Sequence, residues 1–239
     1  MASFQDSIYE ELHFESRRDV AETLAALALS FVSDHPQPRL LDLGCGTGAV
    51  SIAALTRRTD LTAVALDISP ANVASTRAAA AKADVAHRLV TACADYMRWD
   101  GGPFDLIVSD GVLQLIEASD KDLTRRLAAH LLPGGRLIAT MPFQCWANSL
   151  RILARRMWRR LPTATDRLVM VAARVLYPNF SSEFLAERLP YLRITPVRLL
   201  NEPLVAEFDR HGLQLVEQAP WPSPSAAKFD HKLLVWRKR

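Results

Sequence analysis

Short apolar runs recur along this chain and are separated by segments in which apolar residues follow a helical period. The runs predict five buried strands: RLLDLG, LTAVALDIS, HRLVTACAD, FDLIVSDG and RLIATMPF. Between them, helical patterns cover residues 49–58, 70–84 and 120–131, and a further helix over 19–32 precedes the first strand. Regular alternation of strand and helix predicts a doubly wound, mostly parallel α/β sheet, Rossmann-like in type, with helices on both faces.

The C-terminal part of the chain predicts two more strands. Gly212 closes a helix that begins near Asn201, and the segments LQLVEQAPW and FDHKLLVWRK follow as an antiparallel pair. The sheet is therefore expected to have seven strands within a single domain, residues 1–239. Two segments elaborate it: an N-terminal helical cover over 1–38, and a helical, Arg-rich lid inserted after the fifth strand, over 143–200.

The first predicted strand ends in a turn that contains three glycines, Gly44, Gly46 and Gly48. Glycines at this point allow a tight turn, close approach of a ligand to the backbone, and packing of the next helix on the sheet. The second strand ends in Asp67, 23 residues after Gly44, where a carboxylate can bind two ribose hydroxyls. The spacing Gly-x-Gly-x-Gly differs from that of dinucleotide-binding loops, and Asp42 precedes it, which favours a nucleoside that carries positive charge.

The stretch LDLGCGTG resembles motif I of the class I S-adenosylmethionine-dependent methyltransferases. The segments ACADY, FDLIVSDGVLQLI and LLPGGRLIAT resemble later landmarks of the same family and follow in its order. The resemblance covers roughly residues 20–142 and the last two strands. It implies a small-molecule methyltransferase that uses S-adenosylmethionine, releases S-adenosylhomocysteine and requires no metal.

The resemblance also assigns roles to individual residues. Gly44 and Gly46 would contact the methionine and ribose parts of the cofactor, with Cys45 as a small filler in the loop. Asp42 would bind the amino group and Asp67 the ribose hydroxyls. The remaining cofactor contacts are implied as follows: Ile68 packs on the adenine, Asp95 accepts from its amino group, Tyr96 lies beside the ring, and Ser109 and Asp110 border the methionine end.

Charge is distributed unevenly along the chain. The net charge is +3, but residues 143–200 contain ten arginines and three acidic residues, so this segment carries +7 and the remainder −4. No run of eighteen apolar residues predicts a membrane span, and the first twenty residues lack the pattern of a signal peptide. The three cysteines are too few and too widely spaced for a disulfide framework or a zinc site, which predicts a reducing, cytoplasmic location.

Residues 147–161 combine an apolar stripe with a basic one. The favoured interpretation is a lid helix whose apolar side covers the substrate while its basic side is solvated. The same pattern suits a peripheral membrane contact, with Trp and Met in the interface and five arginines near anionic headgroups. Contact with an acidic substrate or carrier protein is a third interpretation, and oligomeric state is left open.

The methyl acceptor is the least constrained part of the prediction. Methyl transfer from a sulfonium requires alignment rather than a nucleophilic triad, so no catalytic group is assigned beyond His13, a weak candidate base. Tyr9, His13, Phe143 and Trp146 are candidate pocket residues for a small, partly apolar metabolite methylated on oxygen or nitrogen. The Asn/Asp-Pro-Pro-aromatic motif of enzymes that methylate amines in duplex DNA is replaced by SDGV, whereas RNA stays open.

Two other classes of function use a similar glycine loop. A nicotinamide-dependent oxidoreductase would also place an acid on the ribose, although none of the four tyrosines begins the Tyr-x-x-x-Lys pattern of the short-chain dehydrogenases. A non-catalytic protein that binds the cofactor or a partner is the second alternative.

Overall fold

A computed structural model describes residues 18–32, 34–162, 165–176, 178, 194–221 and 229–239. The predicted roles of Tyr9 and His13 lie outside these residues. The strands are β1 (Arg39–Leu43), β2 (Thr62–Asp67), β3 (Leu89–Cys93), β4 (Phe104–Asp110), β5 (Leu131–Pro142), β6 (Leu213–Trp221) and β7 (His231–Lys238). The helices are α1 (Arg18–Ser30), α2 (Ala49–Arg57), α3 (Pro70–Lys82), α4 (Asp120–His130), α5 (Trp146–Arg159), α6 (Asp166–Leu176) and α7 (Glu202–Arg210).

The seven strands form one sheet in the order β3-β2-β1-β4-β5-β7-β6. Strands β1 to β5 are parallel, and β7 pairs antiparallel with both β5 and β6, as the sequence predicts. Strand order reverses between β1 and β4, and a ligand of such a sheet binds beyond the carboxyl ends of the strands at this point. The predicted doubly wound fold is confirmed.

Two apolar layers cover the two faces of the sheet. Leu40 belongs to the layer that includes α1 and α2, whereas Leu41 belongs to the layer that includes α4 and α7, because side chains alternate along a strand. Stacking of Phe208 on Trp236, with ring centroids 4.5 Å apart, joins α7 to β7. This core holds the strand ends in place and so positions the site.

One boundary differs from the sequence prediction. The sequence predicts a turn into the fifth strand at residues 133–135, but β5 already begins at Leu131. Phe104 pairs with Leu131 and Leu106 with Arg136, so the additional residues of β5 form an irregularity within the strand. A Cβ at Gly135 would lie 2.9 Å from the carbonyl oxygen of Leu132, which explains the glycine there.

The segment predicted as a lid contains α5 and α6 in its described part, and residues 194–200 return to the sheet. Its role as a lid stays a prediction. None of the helices in the described ranges is both long enough and apolar enough to cross a lipid bilayer.

Candidate active site

The three glycines of the first turn all have left-handed backbone conformations. Their φ angles are +74° at Gly44, +54° at Gly46 and +77° at Gly48. Residues with a Cβ rarely adopt this conformation. The space is also restricted, because a Cβ at Gly44 would lie 2.3 Å from a methyl carbon of Val112, and one at Gly48 would lie 2.5 Å from the methyl of Thr76. Conformation and close packing therefore both require the glycines at 44 and 48.

Asp67 ties this turn to the end of β2. Its Oδ2 accepts a hydrogen bond from the backbone N–H of Gly46 at 2.8 Å. Its Oδ1 accepts from the backbone N–H of Ser69 at 2.9 Å and from the side-chain amide of Asn72 at 3.3 Å. Burial raises the pKa of Asp67, and these hydrogen bonds oppose the rise. The carboxylate is thus held at the edge of the turn, where the sequence predicts contact with a ribose.

Asp42 is buried near the end of β1 and receives two hydrogen bonds from Ser51. The backbone N–H and the hydroxyl of Ser51 both donate to its Oδ2, at 3.1 and 2.6 Å. Burial, followed by the nearby charges of Asp67 and Asp110, raises the pKa of Asp42 to about 6 against the hydrogen bonds from Ser51. Asp42 and the two carboxylates whose charges act on it therefore border the carboxyl ends of β1, β2 and β4. Such an edge favours a ligand with a positive group.

Cys45 is a packed residue within the turn. Its Sγ lies 3.7 Å from the hydroxyl of Thr76, and that hydroxyl donates to the carbonyl of Gly46 at 2.9 Å. Burial, and then the charges of Asp42 and Asp67, raises the pKa of the thiol. The geometry agrees with a filler rather than a reactive thiolate.

The residues predicted to bind adenine follow β2 and β3, and they do not all point the same way. Asp95 and Ile68 are partly exposed at the carboxyl edge, and Asp95 accepts a hydrogen bond from the backbone N–H of Met97 at 2.9 Å. Tyr96 instead points into the core. Its ring centroid lies 5.4 Å from that of His130, and the guanidinium of Arg126 lies over its ring. The prediction that the Tyr96 side chain lies beside the adenine ring is therefore wrong, because the side chain fills the layer under α4.

The residues predicted at the methionine end lie at the end of β4. Asp110 is partly exposed and accepts a hydrogen bond from the hydroxyl of Thr140 at 2.5 Å. Ser109 and Gln114 are buried, and the Ser109 hydroxyl and the Gln114 side-chain oxygen have no protein partner among the described residues. Both oxygens are enclosed by protein atoms at the end of β4 and the loop that follows it.

The two aromatic residues predicted to line the acceptor pocket differ in position. Phe143 directly follows β5 and is partly buried, with the amine of Lys232 4.9 Å from its ring centroid. Trp146 is 80% exposed, so in the described part of the chain it does not line a pocket. The prediction that Trp146 forms a wall of the pocket is wrong, because the first turn of α5 directs this side chain to solvent.

Several residues that support the site were missed by sequence reasoning. Asn72 and Thr76 lie four residues apart on one side of α3 and hold Asp67 and Gly46, while Ser51 and Thr140 hold Asp42 and Asp110. The spacing of Asn72 and Thr76 on an otherwise alanine-rich helix was an available signal. No comparable pattern marks Ser51 or Thr140, whose roles follow from the packing of distant elements.

The strand order and the alternation of strands and helices are those of the class I methyltransferase fold. A family model described as a methyltransferase domain matches residues 40–135. Trans-aconitate 2-methyltransferase of Methylobacterium radiotolerans is 36% identical over 145 residues, which are 59% of this chain and 50% of that protein. Residues 40–135 thus match a methyltransferase-domain family, and the chain has the class I methyltransferase fold around them.

Solved structures of methyltransferases share the fold. The N-methyltransferase NodS from Bradyrhizobium japonicum, in complex with S-adenosylhomocysteine, has a TM-score of 0.58 and 17% identity and covers 92% of this chain and 86% of its own. The magnesium protoporphyrin IX methyltransferase from Synechocystis, also with S-adenosylhomocysteine bound, has a TM-score of 0.60 and 15% identity. The match covers 100% of this chain and 89% of that one. The chain spans about half the length of several of the curated relatives that it matches.

Proposed function

We propose that this protein binds S-adenosylmethionine beyond the carboxyl ends of β1, β2 and β4 and methylates a small molecule on oxygen or nitrogen. The observation that carries the proposal is the hydrogen bond between the left-handed Gly46 and Asp67. It holds a bare backbone edge and a carboxylate side by side at the point where strand order reverses. The methyltransferases of similar fold that contain S-adenosylhomocysteine support this choice of ligand.

The residues present fit the cofactor. In this proposal Asp67 binds the two ribose hydroxyls, and Ile68 and Asp95 contact the adenine. Asp42 and Asp110 provide negative charge near the amino acid and sulfonium end. The cofactor would supply a methyl group to an acceptor oxygen or nitrogen. The carbon–sulfur bond breaks as the new bond forms, the electron pair stays on sulfur, and the acceptor loses its proton to solvent or a base.

The part of this chain in the reaction is mainly to bind and align. An in-line displacement is accelerated when nucleophile, methyl and sulfur are held in line near contact, and positioning of this kind contributes about 7–11 kcal/mol in favourable cases. Phe143 and the segment 143–200 complete the acceptor side in this proposal, with a small, partly apolar metabolite as substrate.

Calorimetry and a turnover assay test the proposal in sequence. S-adenosylmethionine and S-adenosylhomocysteine should bind to the purified chain at one site, and NADH should not. Methyl transfer from labelled S-adenosylmethionine is then measured with a panel of small carboxylates, including trans-aconitate, and of phenols and amines. Binding of NADH with no binding of S-adenosylhomocysteine would instead establish the oxidoreductase. Cofactor binding without transfer to any acceptor would favour the non-catalytic protein.

A further inference from the structure

Helix α5 is attached to the protein by its polar side. The side-chain amide of the fully buried Asn148 donates to the carbonyls of Phe143 and Asp230, at 2.7 and 2.9 Å, and its oxygen accepts from the backbone N–H of Asp230. Arg151 forms an ion pair with the carboxylate of Asp230 at 3.1 Å. Arg155 donates to the carbonyl of Ile194 at 2.9 Å and lies over the ring of Phe229.

The apolar side of α5 consequently faces outward. At 3.6 residues per turn, four apolar residues of α5 fall within an arc of about 60°: Trp146, Leu150, Leu153 and Met157. The centre of this arc points roughly 160° away from the mean direction of Asn148, Arg151 and Arg155, on the opposite side of the helix. We call these four residues the apolar row. Their side chains are 55% to 80% exposed. This orientation reverses the predicted one, in which the apolar side covered the substrate and the arginines were solvated.

Helix α6 also exposes a row of apolar residues. Leu168, Val171 and Val175 follow one another at helical spacing and are 62% to 76% exposed. Exposed apolar residues that occur singly need no explanation, but continuous rows on two helices indicate a surface that meets an apolar partner.

The charges beside the apolar row indicate which partner this is. Residues 146–160 contain five arginines and no acidic residue, and Arg156 and Arg160 are exposed next to the row. A second copy docked symmetrically through α5 would bring these like charges together, whereas an anionic lipid surface would attract them. We propose that α5, supported by α6, docks this protein on the surface of an anionic membrane, with the apolar row inserted between headgroups. The proposal is independent of methyl transfer.

Vesicle flotation tests the proposal on the full chain. The protein is mixed with vesicles of phosphatidylcholine alone or of phosphatidylcholine and phosphatidylglycerol in equal amounts. We expect it to float with the anionic vesicles only, and less so in high salt, because salt screens the arginines. Brominated phosphatidylcholine in the anionic vesicles should quench tryptophan fluorescence in the wild-type chain and should do so much less after Trp146→Phe, which locates the insertion at α5.

Matched variants separate the apolar contribution from the charge contribution. Leu150→Ser with Leu153→Ser should lower the partition coefficient at least about tenfold. Arg156→Gln with Arg160→Gln should lower it about 25-fold, at about fivefold for each arginine near a lipid surface. The control pair Arg18→Gln with Arg237→Gln makes the same charge change on exposed residues elsewhere and should leave flotation within about twofold. Every variant is first shown to have the circular dichroism spectrum and the melting temperature of wild type.

Three outcomes would overturn the proposal. The first is that the wild-type chain stays in the unbound fraction with anionic vesicles at low salt. The second is that the Leu150→Ser, Leu153→Ser variant floats like wild type. The third is that sedimentation reveals a wild-type dimer that this variant converts to a monomer, because a second copy then covers the apolar row. None of these results affects the proposed binding of S-adenosylmethionine, which calorimetry measures separately.

Discussion

Replacement of Asp67 by asparagine tests the proposed cofactor site at one atom. The wild-type carboxylate accepts hydrogen bonds on both oxygens, from Gly46 on Oδ2 and from Ser69 and Asn72 on Oδ1. An amide has one oxygen, and the two donors on the Oδ1 side will retain it. The new NH₂ group then faces the N–H of Gly46, donor against donor. The substitution therefore removes both a charge and the anchor of the glycine turn, with almost no change in shape.

The expected loss of cofactor affinity follows from these contacts. A hydrogen bond to a charged group contributes about 1.5–3 kcal/mol, and the carboxylate is proposed to accept two from the ribose. Loss of about 3 kcal/mol or more weakens binding roughly a hundredfold or more. The unpaired N–H of Gly46 also costs about 1–3 kcal/mol of stability. A change of this size lowers the melting temperature by about 2–4 °C per kcal/mol in a chain of this length.

A second buried aspartate provides the control. Asp105, like Asp67, is 8% exposed, and it accepts from the backbone N–H of Arg39 at 2.7 Å and lies 3.2 Å from the Nδ1 of His35. It is near the amino end of β4, at the opposite edge of the sheet. Calorimetry with S-adenosylhomocysteine should show a large loss for Asp67→Asn and wild-type affinity for Asp105→Asn, although both melt earlier. Affinity of Asp67→Asn within about threefold of wild type would refute the reasoning.

Two further predictions concern the turn and Asp42. Gly44→Ala should destabilise the protein by about 2–5 kcal/mol, because it adds left-handed backbone strain and an overlap with Val112. The cost, measured by urea unfolding, should be clearly smaller in a Val112→Ala background, and equal costs in both backgrounds would exclude the overlap. Asp42 has a pKa of about 6 in the folded protein against an ordinary 3.8, so its ionisation destabilises the fold as pH rises from about 4 to 7. Both donors from Ser51 reach one oxygen, which Asp42→Asn retains. Relative to wild type, that variant should therefore gain roughly 2.4 kcal/mol of unfolding free energy between pH 4 and 8, and a difference independent of pH would contradict the assignment.

The path of the chain through the sheet was predictable because its signals are local. Apolar runs between helical segments predict parallel strands, and the glycine spacing predicts the ligand end of the first strand. Asp67 and Asp110 could be placed at the carboxyl edge because each directly ends a strand. The burial of Tyr96 was not predictable in this way, because Asp95 and Tyr96 are neighbours in sequence and only the packing of α4 decides which of them points inward.

For this protein the sequence by itself determined the fold class, the position of the glycine turn and the acids around it. Strand periodicity and left-handed glycine conformations depend on neighbouring residues. The tertiary structure alone decided which side of α5 meets the protein. An amphipathic pattern defines two faces of a helix, but the choice between them depended on Asp230, which is 82 residues from Asn148 along the chain and forms the hydrogen bonds that hold the polar face inward.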